Sequence, residues 1–357
     1  MIIQSADQQF SKGRGAQYNP QNRFESSSYV REHAEGIDDW EEEERQTNYI
    51  FDQSKTIVNE VKSPDVGMLY SINPYQGCEH GCIYCYARNS HEYWGYSAGV
   101  DFERRIVVKE NAPFLLRKFF SNKNWTPAPV SLSGNTDCYQ PIERKMKLSR
   151  QLLEICLEFR NPVGIITKNT LLLRDLDLLQ ELATRNLLTV YSSVTSVDDS
   201  FRLLLEPRTA TYKNRLRMIE TLSKHNIPTG IMNAPIIPGL NDMHMHDTIK
   251  AAADAGARWA GYTIVRLNGA IGPIFKDWLS KTFPDRASKV WNQIEACHGG
   301  QVNDSRLGTR MRGEGNIADI IKQQFSLYCK MYGLNKEKFN YDLSQFRRLQ
   351  GNQLPLF

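Results

Sequence analysis

The sequence of 357 residues contains no apolar run of 18 residues, the length at which a helix begins to span a bilayer. Its first seven residues have neither the basic start nor the apolar stretch of a secretory signal. The first absence excludes a membrane-spanning helix, and both together predict a cytoplasmic protein without a membrane partner.

Neither sign of charge dominates, because 44 Lys and Arg against 40 Asp and Glu leave a net charge of +4. An excess this small does not by itself indicate a nucleic-acid-binding protein. Cysteine is scarce and odd in number, seven in all, so a disulfide framework is not expected. These features favour metal binding or catalysis for any cysteines that cluster.

Three regions of the chain differ in composition. Residues 1–65 are polar and include an acidic run at 38–44, which predicts an N-terminal arm that is partly extended or disordered. Residues 66–283 have the texture of a folded core. Residues 284–357 predict a basic helical extension, in which Arg306, Arg310 and Arg312 either contact phosphate or simply face solvent.

The core alternates two kinds of segment. Short apolar or β-branched runs predict strands at 68–72, 130–133, 163–167, 188–194, 229–237 and 259–267. Amphipathic spacing predicts helices at 147–159, 173–184, 212–225 and 243–255. Six such units predict an α/β fold with a parallel sheet, curled into a partial (β/α)6 TIM-type barrel. Its chemistry is then expected on the loops that follow the carboxyl ends of the strands.

One loop after the first predicted strand holds three cysteines. It reads Cys78-Glu79-His80-Gly81-Cys82-Ile83-Tyr84-Cys85. Three thiolates at this spacing can bind three irons of a [4Fe–4S] cluster and leave the fourth iron open to a small molecule. The alternative is a structural zinc site with His80 as the fourth ligand, although no second cysteine pair follows.

This loop, with Tyr84 just before its last cysteine, resembles that of the radical S-adenosylmethionine (SAM) superfamily. Within it, the chain is most similar to the spore photoproduct lyase-like group, often labelled DNA repair photolyase, and especially to an uncharacterised bacterial branch. The segments that carry this likeness are 73–78, 86–88, 136–143, 167–168 and 206–209.

The resemblance implies a cofactor pair and a reaction. Cys78, Cys82 and Cys85 would be the metal ligands of a [4Fe–4S] cluster that binds SAM through its open iron. A reductant such as flavodoxin or ferredoxin would supply the electron that cleaves SAM to a 5′-deoxyadenosyl radical. The protein would then orient the cofactors and exclude water.

Cofactor-binding candidates follow the strand ends. The resemblance implies SAM contacts at Thr136, Lys168 and Ser193. The remaining candidates for this site are Tyr84, Asp137, Arg208 and Arg215. Thr136 and Asp137 have an alternative role as helix caps, whereas a lysine that closes an apolar strand requires a partner.

The candidate catalytic residues are Cys138 and Tyr139, as donors of hydrogen to a substrate radical. The spore photoproduct lyase-like group carries its donor cysteine a few residues before the aspartate that matches Asp137, where this sequence has Ser133, Gly134 and Asn135. The alternative for Cys138 is a small apolar residue packed in the core.

The final segment, Gln353-Leu354-Pro355-Leu356-Phe357, resembles the pentapeptide with which bacterial DNA polymerases and repair proteins bind the sliding clamp. The alternative is a tail packed on its own barrel. The function predicted is that of a radical SAM enzyme, of lyase type, that repairs or modifies DNA or another nucleic acid. The rivals are radical SAM modification of a peptide or small metabolite, and a non-enzymatic iron–sulfur protein that binds DNA or the clamp.

Overall fold

The computed structural model describes residues 13–24 and 46–348. Within these residues the chain forms ten strands. They are β1 (Asn48–Asp52), β2 (Val58–Glu60), β3 (Tyr70–Ile72), β4 (Tyr75–Gln76), β5 (Arg105–Lys109), β6 (Val130–Leu132), β7 (Val163–Thr167), β8 (Leu188–Ser193), β9 (Thr229–Ile236) and β10 (Trp259–Ile264).

Seven of the strands form the main sheet, in the order β10-β9-β8-β7-β6-β3-β2. The six from β3 to β10 in this sheet are parallel and follow one another in chain order, and β2 is antiparallel at the edge beside β3. The predicted partial (β/α)6 barrel is therefore confirmed. A second sheet has the order β1-β5-β4, with β1 parallel and β4 antiparallel to β5.

Helices connect the strands and cover the outside of the sheet. They are α1 (Asp101–Arg104), α2 (Ala112–Ser121), α3 (Glu143–Met146), α4 (Leu148–Phe159), α5 (Leu176–Thr184), α6 (Asp199–Leu205), α7 (Tyr212–Lys224), α8 (Met245–Asp254), α9 (Ile271–Thr282), α10 (Ala287–Ala296) and α11 (Gly315–Met331). Short 3-10 helices occupy Tyr86–Trp94, Thr170–Asp175, Asp242–His244 and Leu343–Gln345. None of the described helices has the length and apolar character needed to cross a membrane.

The strands alternate between an outer and an inner face. In β7, Val163 and Ile165 are buried in the main apolar core together with Leu152 of α4 and Leu179 of α5. Because successive side chains point to opposite faces, Gly164 lies on the inner face. The apolar layer thus fixes which strand residues line the inside of the barrel.

The sequence predictions agree with the main sheet and with α4, α7 and α8, and they differ at the start of one helix and in the second sheet. The strand predicted at 163–167 has those bounds, while the helix predicted at 173–184 begins at Leu176. The preceding residues wind as a 3-10 helix, whose first turn is capped by the Asn169 side chain accepting from the Leu171 N–H. The small second sheet was not predicted, because its strands are short and come from distant segments.

The described part of the predicted arm is built into both sheets, since β1 and β2 fall within residues 46–65. The boundaries proposed at 65 and 283 stay predictions.

Residues 334–348 form a strap across the end of the barrel where the parallel strands begin. The Asn335 side chain bonds the N–H and carbonyl of Ala260, and the Asp342 N–H donates to the carbonyl of Asn186, before β8. Inside the barrel the Tyr341 hydroxyl lies 2.5 Å from Thr189 Oγ1. The described part of the extension therefore packs on its own barrel, while the clamp-like pentapeptide at 353–357 lies outside the described residues.

Candidate functional site at the cysteine loop

The cysteine loop, residues 78–85, begins directly after β4 and its bend depends on glycine. Gly77 and Gly81 have φ angles of 80° and 68°, in the left-handed region. A Cβ at Gly77 would lie 2.9 Å from the carbonyl oxygen of Arg105. These two positions allow a short loop to present three cysteines.

The three cysteines are free and lie near one another. Cys78 and Cys82 are buried and Cys85 is partly buried. Burial raises the pKa of each thiol, that of Cys82 to about 12, and both Cys82 and Cys85 are electrostatic neighbours of Cys78. In the metal-free protein these groups are therefore protonated, and metal binding would release protons.

The spacing of these ligands discriminates between a single ion and a cluster. Among residues 13–24 and 46–348, no three His, Cys, Asp or Glu side chains converge closely enough to hold one metal ion. Tetrahedral zinc requires such convergence at bonds of about 2.3 Å, whereas each cysteine of a cubane binds a different iron. His80, the fourth ligand of the zinc alternative, has its Nδ1 3.4 Å from Asp137, while its buried Nε2 has no hydrogen-bond partner in the described structure. Three free cysteines on one short loop fit the donor set of a cluster with one open iron.

Arg88 holds the middle of the loop. Its Nε and Nη2 donate to the Cys82 carbonyl at 3.1 and 2.9 Å, and Nη2 lies 2.5 Å from the Glu103 carboxylate. Both side chains are completely buried. A buried, paired arginine has little freedom, so this ion pair fixes the backbone at the second cysteine.

The N-terminal segment packs against the same place. The N–H groups of Gly15 and Ala16 donate to the Glu103 carboxylate at 3.2 and 2.8 Å. A Cβ at Gly15 would lie 1.9 Å from the carbonyl oxygen of Gly81, which only glycine allows. Residues 13–24 are thus part of the wall around the cysteine loop.

On its other side the loop meets a buried charge network. The Tyr84 hydroxyl donates to Glu206, which also accepts from Thr195 Oγ1 at 3.2 Å and from Arg215 Nη2 at 2.6 Å. Although burial alone raises the pKa of Glu206, Arg215 and Lys168 lower it to about 2. Tyr84, Glu206 and Arg215 therefore form one rigid unit beside the cysteines.

Lys168 supplies a cation that this network does not neutralise. It follows β7, and its Nζ lies 5.9 Å from the centre of the Tyr84 ring. Burial lowers its pKa, but the nearby Cys82 and Glu206 outweigh burial and raise it above the ordinary value. Its ammonium makes no hydrogen bond with any described residue. An anionic group placed here would find a ready partner.

Asp137 and Thr136 are engaged within the protein. The Asp137 carboxylate accepts from Thr167 Oγ1 and from the Lys168 N–H, both at 2.8 Å. Burial raises its pKa, but His80 and the backbone N–H groups of Lys168 and Tyr139 outweigh burial and lower the pKa to about 2. Thr136 Oγ1 donates to the Tyr75 carbonyl at 2.6 Å. Asp137 therefore joins the ends of two strands to the loop, and its predicted contact with SAM gains no support.

The remaining predicted SAM contacts separate into two groups. Ser193 ends β8, where its carbonyl accepts from Arg215 at 2.7 Å, so Ser193 lies beside the network. Arg215 also donates to the Ala210 carbonyl, so each nitrogen of its buried guanidinium already has a partner within the protein. Arg208 is exposed near Arg14 and Tyr49, outside the group formed with Lys168.

Cys138 and Tyr139, the predicted hydrogen donors, are completely buried in the main apolar core. The Tyr139 hydroxyl donates to Asp175 at 3.0 Å, and the carbonyl of Cys138 accepts from Ser149. A hydrogen donor has to contact the substrate, and neither of these side chains is exposed at a surface of the protein. The geometry supports the alternative of core packing for Cys138 and gives no support to the catalytic prediction.

Sequence reasoning assigned no role to several residues that shape the site. Glu103 belongs to no motif, while Arg88 and Glu206 fall inside the segments that carried the family likeness. Tyr86 directly follows Cys85 and is 54% exposed, with its hydroxyl donating to the Gly134 carbonyl at 2.7 Å. The sequence did point to Arg88 and Glu206, because a charged residue within a motif either binds a ligand or holds in place the residues that do.

The sequence model of the Radical SAM superfamily matches residues 72–252, just over half of the chain and including the whole cysteine loop. The chain belongs to the radical SAM superfamily. Membership implies SAM and a [4Fe–4S] cluster as cofactors, and the resemblance noted in the sequence is confirmed. The cysteine loop, Lys168 and the buried network are therefore features of a radical SAM protein.

Relatives by sequence are uncharacterised proteins. Those of Mycobacterium bovis and Mycobacterium tuberculosis are 33% identical over 222 residues, which is 62% of this chain and 65% of theirs. One of Methanocaldococcus jannaschii is 31% identical over 191 residues, 54% of this chain and 68% of its own. The match thus spans slightly less than two thirds of the length of the mycobacterial relatives.

Solved structures of spore photoproduct lyase share the fold. The complex with dinucleoside spore photoproduct superimposes with a TM-score of 0.60 at 14% identity, over 80% of each chain. A double mutant of that lyase with bound AdoMet gives 0.59 at 13% identity, also over 80% of each chain. At this identity the likeness establishes a common fold.

Proposed function

We propose that this radical SAM protein holds its [4Fe–4S] cluster through Cys78, Cys82 and Cys85 and acts on a nucleic acid, repairing or modifying DNA. The observation that carries the proposal is the loop itself, where three free thiols lie together without converging on a single ion. When bound, the cluster supplies the electron that splits SAM and produces a 5′-deoxyadenosyl radical.

The chain's own residues would hold and orient these cofactors. Arg88 and Glu103 fix the carbonyl of Cys82, so the three sulfurs keep their relative positions. Lys168 is free to pair with the carboxylate of SAM, next to the ring of Tyr84. Ser193 and Thr136 are candidates for its other polar groups, and Arg215 would act through Glu206 as a positioning residue.

A nucleic acid substrate is supported by two observations. The spore photoproduct lyase structures with the same fold contain a dinucleoside photoproduct. In this chain, the surroundings of Tyr86 carry an excess of cations, because Lys168 and Arg266 are its charged neighbours. Positive charge beside an exposed aromatic ring suits a nucleotide. The dimer-cleaving reaction itself is not part of the proposal, since Ser133, Gly134 and Asn135 replace the donor cysteine.

Two predicted partners have different standing. A reductant such as flavodoxin or ferredoxin is part of the proposal, because radical SAM chemistry requires an electron. The clamp contact at 353–357 has no support in the described residues or in the comparisons, and it stays a sequence prediction, as does the cytoplasmic location.

The test is anaerobic reconstitution of the full chain with iron and sulfide, followed by reduction with dithionite and SAM. We expect release of 5′-deoxyadenosine that depends on the reductant and rises severalfold when ultraviolet-irradiated DNA is added. Undamaged DNA, RNA and a peptide mixture serve as parallel substrates. A bound cluster without SAM cleavage would contradict the enzymatic proposal, whereas cleavage that responds only to peptides would contradict the nucleic acid.

A further inference from the structure

An ion pair links the two edges of the main sheet. Arg310 donates from Nε to Asp65 at 2.6 Å, and its Nη2 contacts the other carboxylate oxygen. Asp65 lies in the turn between β2 and β3, at one edge of the sheet. Arg310 belongs to residues 302–313, which pack on the opposite edge strand, where Met311 accepts from the Ile264 N–H at 3.0 Å. The pair therefore crosses the gap that a six-stranded barrel leaves open.

Beside this pair lies an arginine without a counterion of its own. Arg266 follows β10, is partly buried, and has Arg310, Asp65, Asp304 and Tyr86 as charged or titratable neighbours. Its guanidinium forms no hydrogen bond or ion pair with any residue in 13–24 or 46–348. Burial and the adjacent Arg310 lower its pKa, although arginine stays charged in proteins.

The nearby carboxylates are already engaged. Asp65 binds Arg310 through both oxygens, and Asp304 accepts from Arg306 at 2.9 Å and from Thr309 at 2.7 Å. Two guanidinium groups thus share the charge of one carboxylate at the gap. An anion with several oxygens would stabilise both, because guanidinium binds phosphate and carboxylate in a two-point geometry.

We propose that Arg266 and Arg310 form a phosphodiester-binding site at the gap between the edge strands, with Asp65 as an internal anion that a nucleic acid phosphate displaces from Arg310. Tyr86, whose ring is exposed, is an electrostatic neighbour of Arg266 and offers a face on which a base stacks. Since Tyr86 follows Cys85 in the chain, a nucleotide bound in this way lies beside the cysteine loop. The inference deepens the proposed function and rests on it for the class of substrate.

The test measures binding of a fluorescein-labelled, 12-nucleotide single-stranded DNA to the reconstituted full-length protein by anisotropy over a range of salt. Arg266→Gln should weaken binding by about tenfold and lower the slope of log affinity against log salt by about 0.7, the value for one lost phosphate contact. Arg258→Gln is the matched control. Arg258 precedes the same strand at its other end and pairs with Glu337, so its loss removes equal charge and should change binding less than about twofold.

Two further variants test the displacement of Asp65. Asp65→Asn should tighten binding severalfold, because it removes the competing anion. In that background Arg310→Gln should weaken binding by about tenfold, whereas in the wild type it should have a smaller effect, since it also releases Asp65. Arg266→Lys should keep the salt dependence, because it retains the charge, but should recover only part of the affinity, because the ammonium lacks the two-point contact. Circular dichroism and the melting temperature show that each variant is folded.

The outcomes separate this site from the wider proposal. Equal effects of Arg266→Gln and Arg258→Gln, or weaker binding by Asp65→Asn, would overturn the arginine site while nucleic acid binding stands. A wild-type protein that cleaves SAM but binds neither DNA nor RNA at low salt would overturn the substrate class, and this site with it.

Discussion

The two ends of the barrel are built from different interactions. Where the parallel strands end, completely buried ion pairs, Arg88–Glu103 and Arg215–Glu206, surround three free cysteines and the unneutralised Lys168. Where the strands begin, the strap of residues 334–348 closes the barrel with backbone hydrogen bonds and the inserted ring of Tyr341. One end buries charged side chains beside free cysteines, whereas the other is held by hydrogen bonds, aromatic packing and the exposed Arg258–Glu337 pair.

This difference separates function from stability along the same strands. Burying a charged side chain costs free energy unless the charge is paired. A concentration of buried charges at one end of the barrel therefore indicates a role in function rather than in folding. Backbone bonds and aromatic packing at the other end stabilise the fold without preparing a site. Variants at the cysteine end should therefore change the SAM chemistry, and also the stability where a buried charge loses its partner, whereas variants at the strap should change stability alone.

The largest effect is expected for Cys82→Ala. Without this ligand the cluster should not assemble, so iron and sulfide content should fall sharply and reductant-dependent 5′-deoxyadenosine release should become undetectable. Cys156→Ala is the control, because Cys156 lies on the buried face of α4, in the main apolar core. It should keep the iron and lose about 1 kcal/mol of unfolding free energy. Equal iron content in the two variants would contradict the proposed ligand set.

Glu206→Gln should strongly destabilise the protein. It leaves Arg215 buried without its counterion, which costs about 3 kcal/mol in the free energy of unfolding, measured by urea denaturation. Glu220→Gln removes an exposed partner of Lys224 and should barely change the midpoint.

The Glu206 pair also has a defined pH dependence. The folded pKa of Glu206 is about 2, below its ordinary 4.5. Its contribution is therefore complete above pH 4.5 and is lost as the pH falls towards 2, and Glu206→Gln should remove that part of the acid sensitivity. A stability curve of unchanged shape would count against the buried network.

Lys168→Met should raise the KM for SAM by about tenfold while the iron content stays unchanged, because a charge-assisted contact with the SAM carboxylate is lost. Lys250→Met is the control, since Lys250 pairs with Asp254 on the exposed side of α8. If Lys168→Met leaves KM unaltered, Lys168 does not bind SAM.

The smallest effect is expected at the strap. Tyr341→Phe removes the hydroxyl that bonds Thr189 and should lower the free energy of unfolding by about 1 kcal/mol, with SAM cleavage unchanged. Tyr93→Phe, at a side chain that is 72% exposed, is the control and should leave both unchanged. Loss of SAM cleavage in Tyr341→Phe would contradict the assignment of the strap to stability alone.

The alternation of strands and helices was predictable from the sequence. Apolar runs such as 163–167 and the amphipathic spacing of α4 indicate which face of each element is buried. The cysteine loop was conspicuous because its spacing is local in the sequence. The partners of Glu103 and Asp65 come from segments 88 and 245 residues away, and no periodicity reports such contacts. For Cys138, sequence placed a reactive side chain near the site but could not tell which way it points.

The contact between Gly15 and Gly81 sets a practical limit on how the protein can be shortened. The region matched by the superfamily begins at residue 72, yet two N–H donors to Glu103 come from residues 15 and 16. A fragment cut at the family boundary would expose one flank of the cysteines to air and solvent. Expression vectors and fusion tags should therefore keep everything from residue 13 onwards and add their extra sequence upstream.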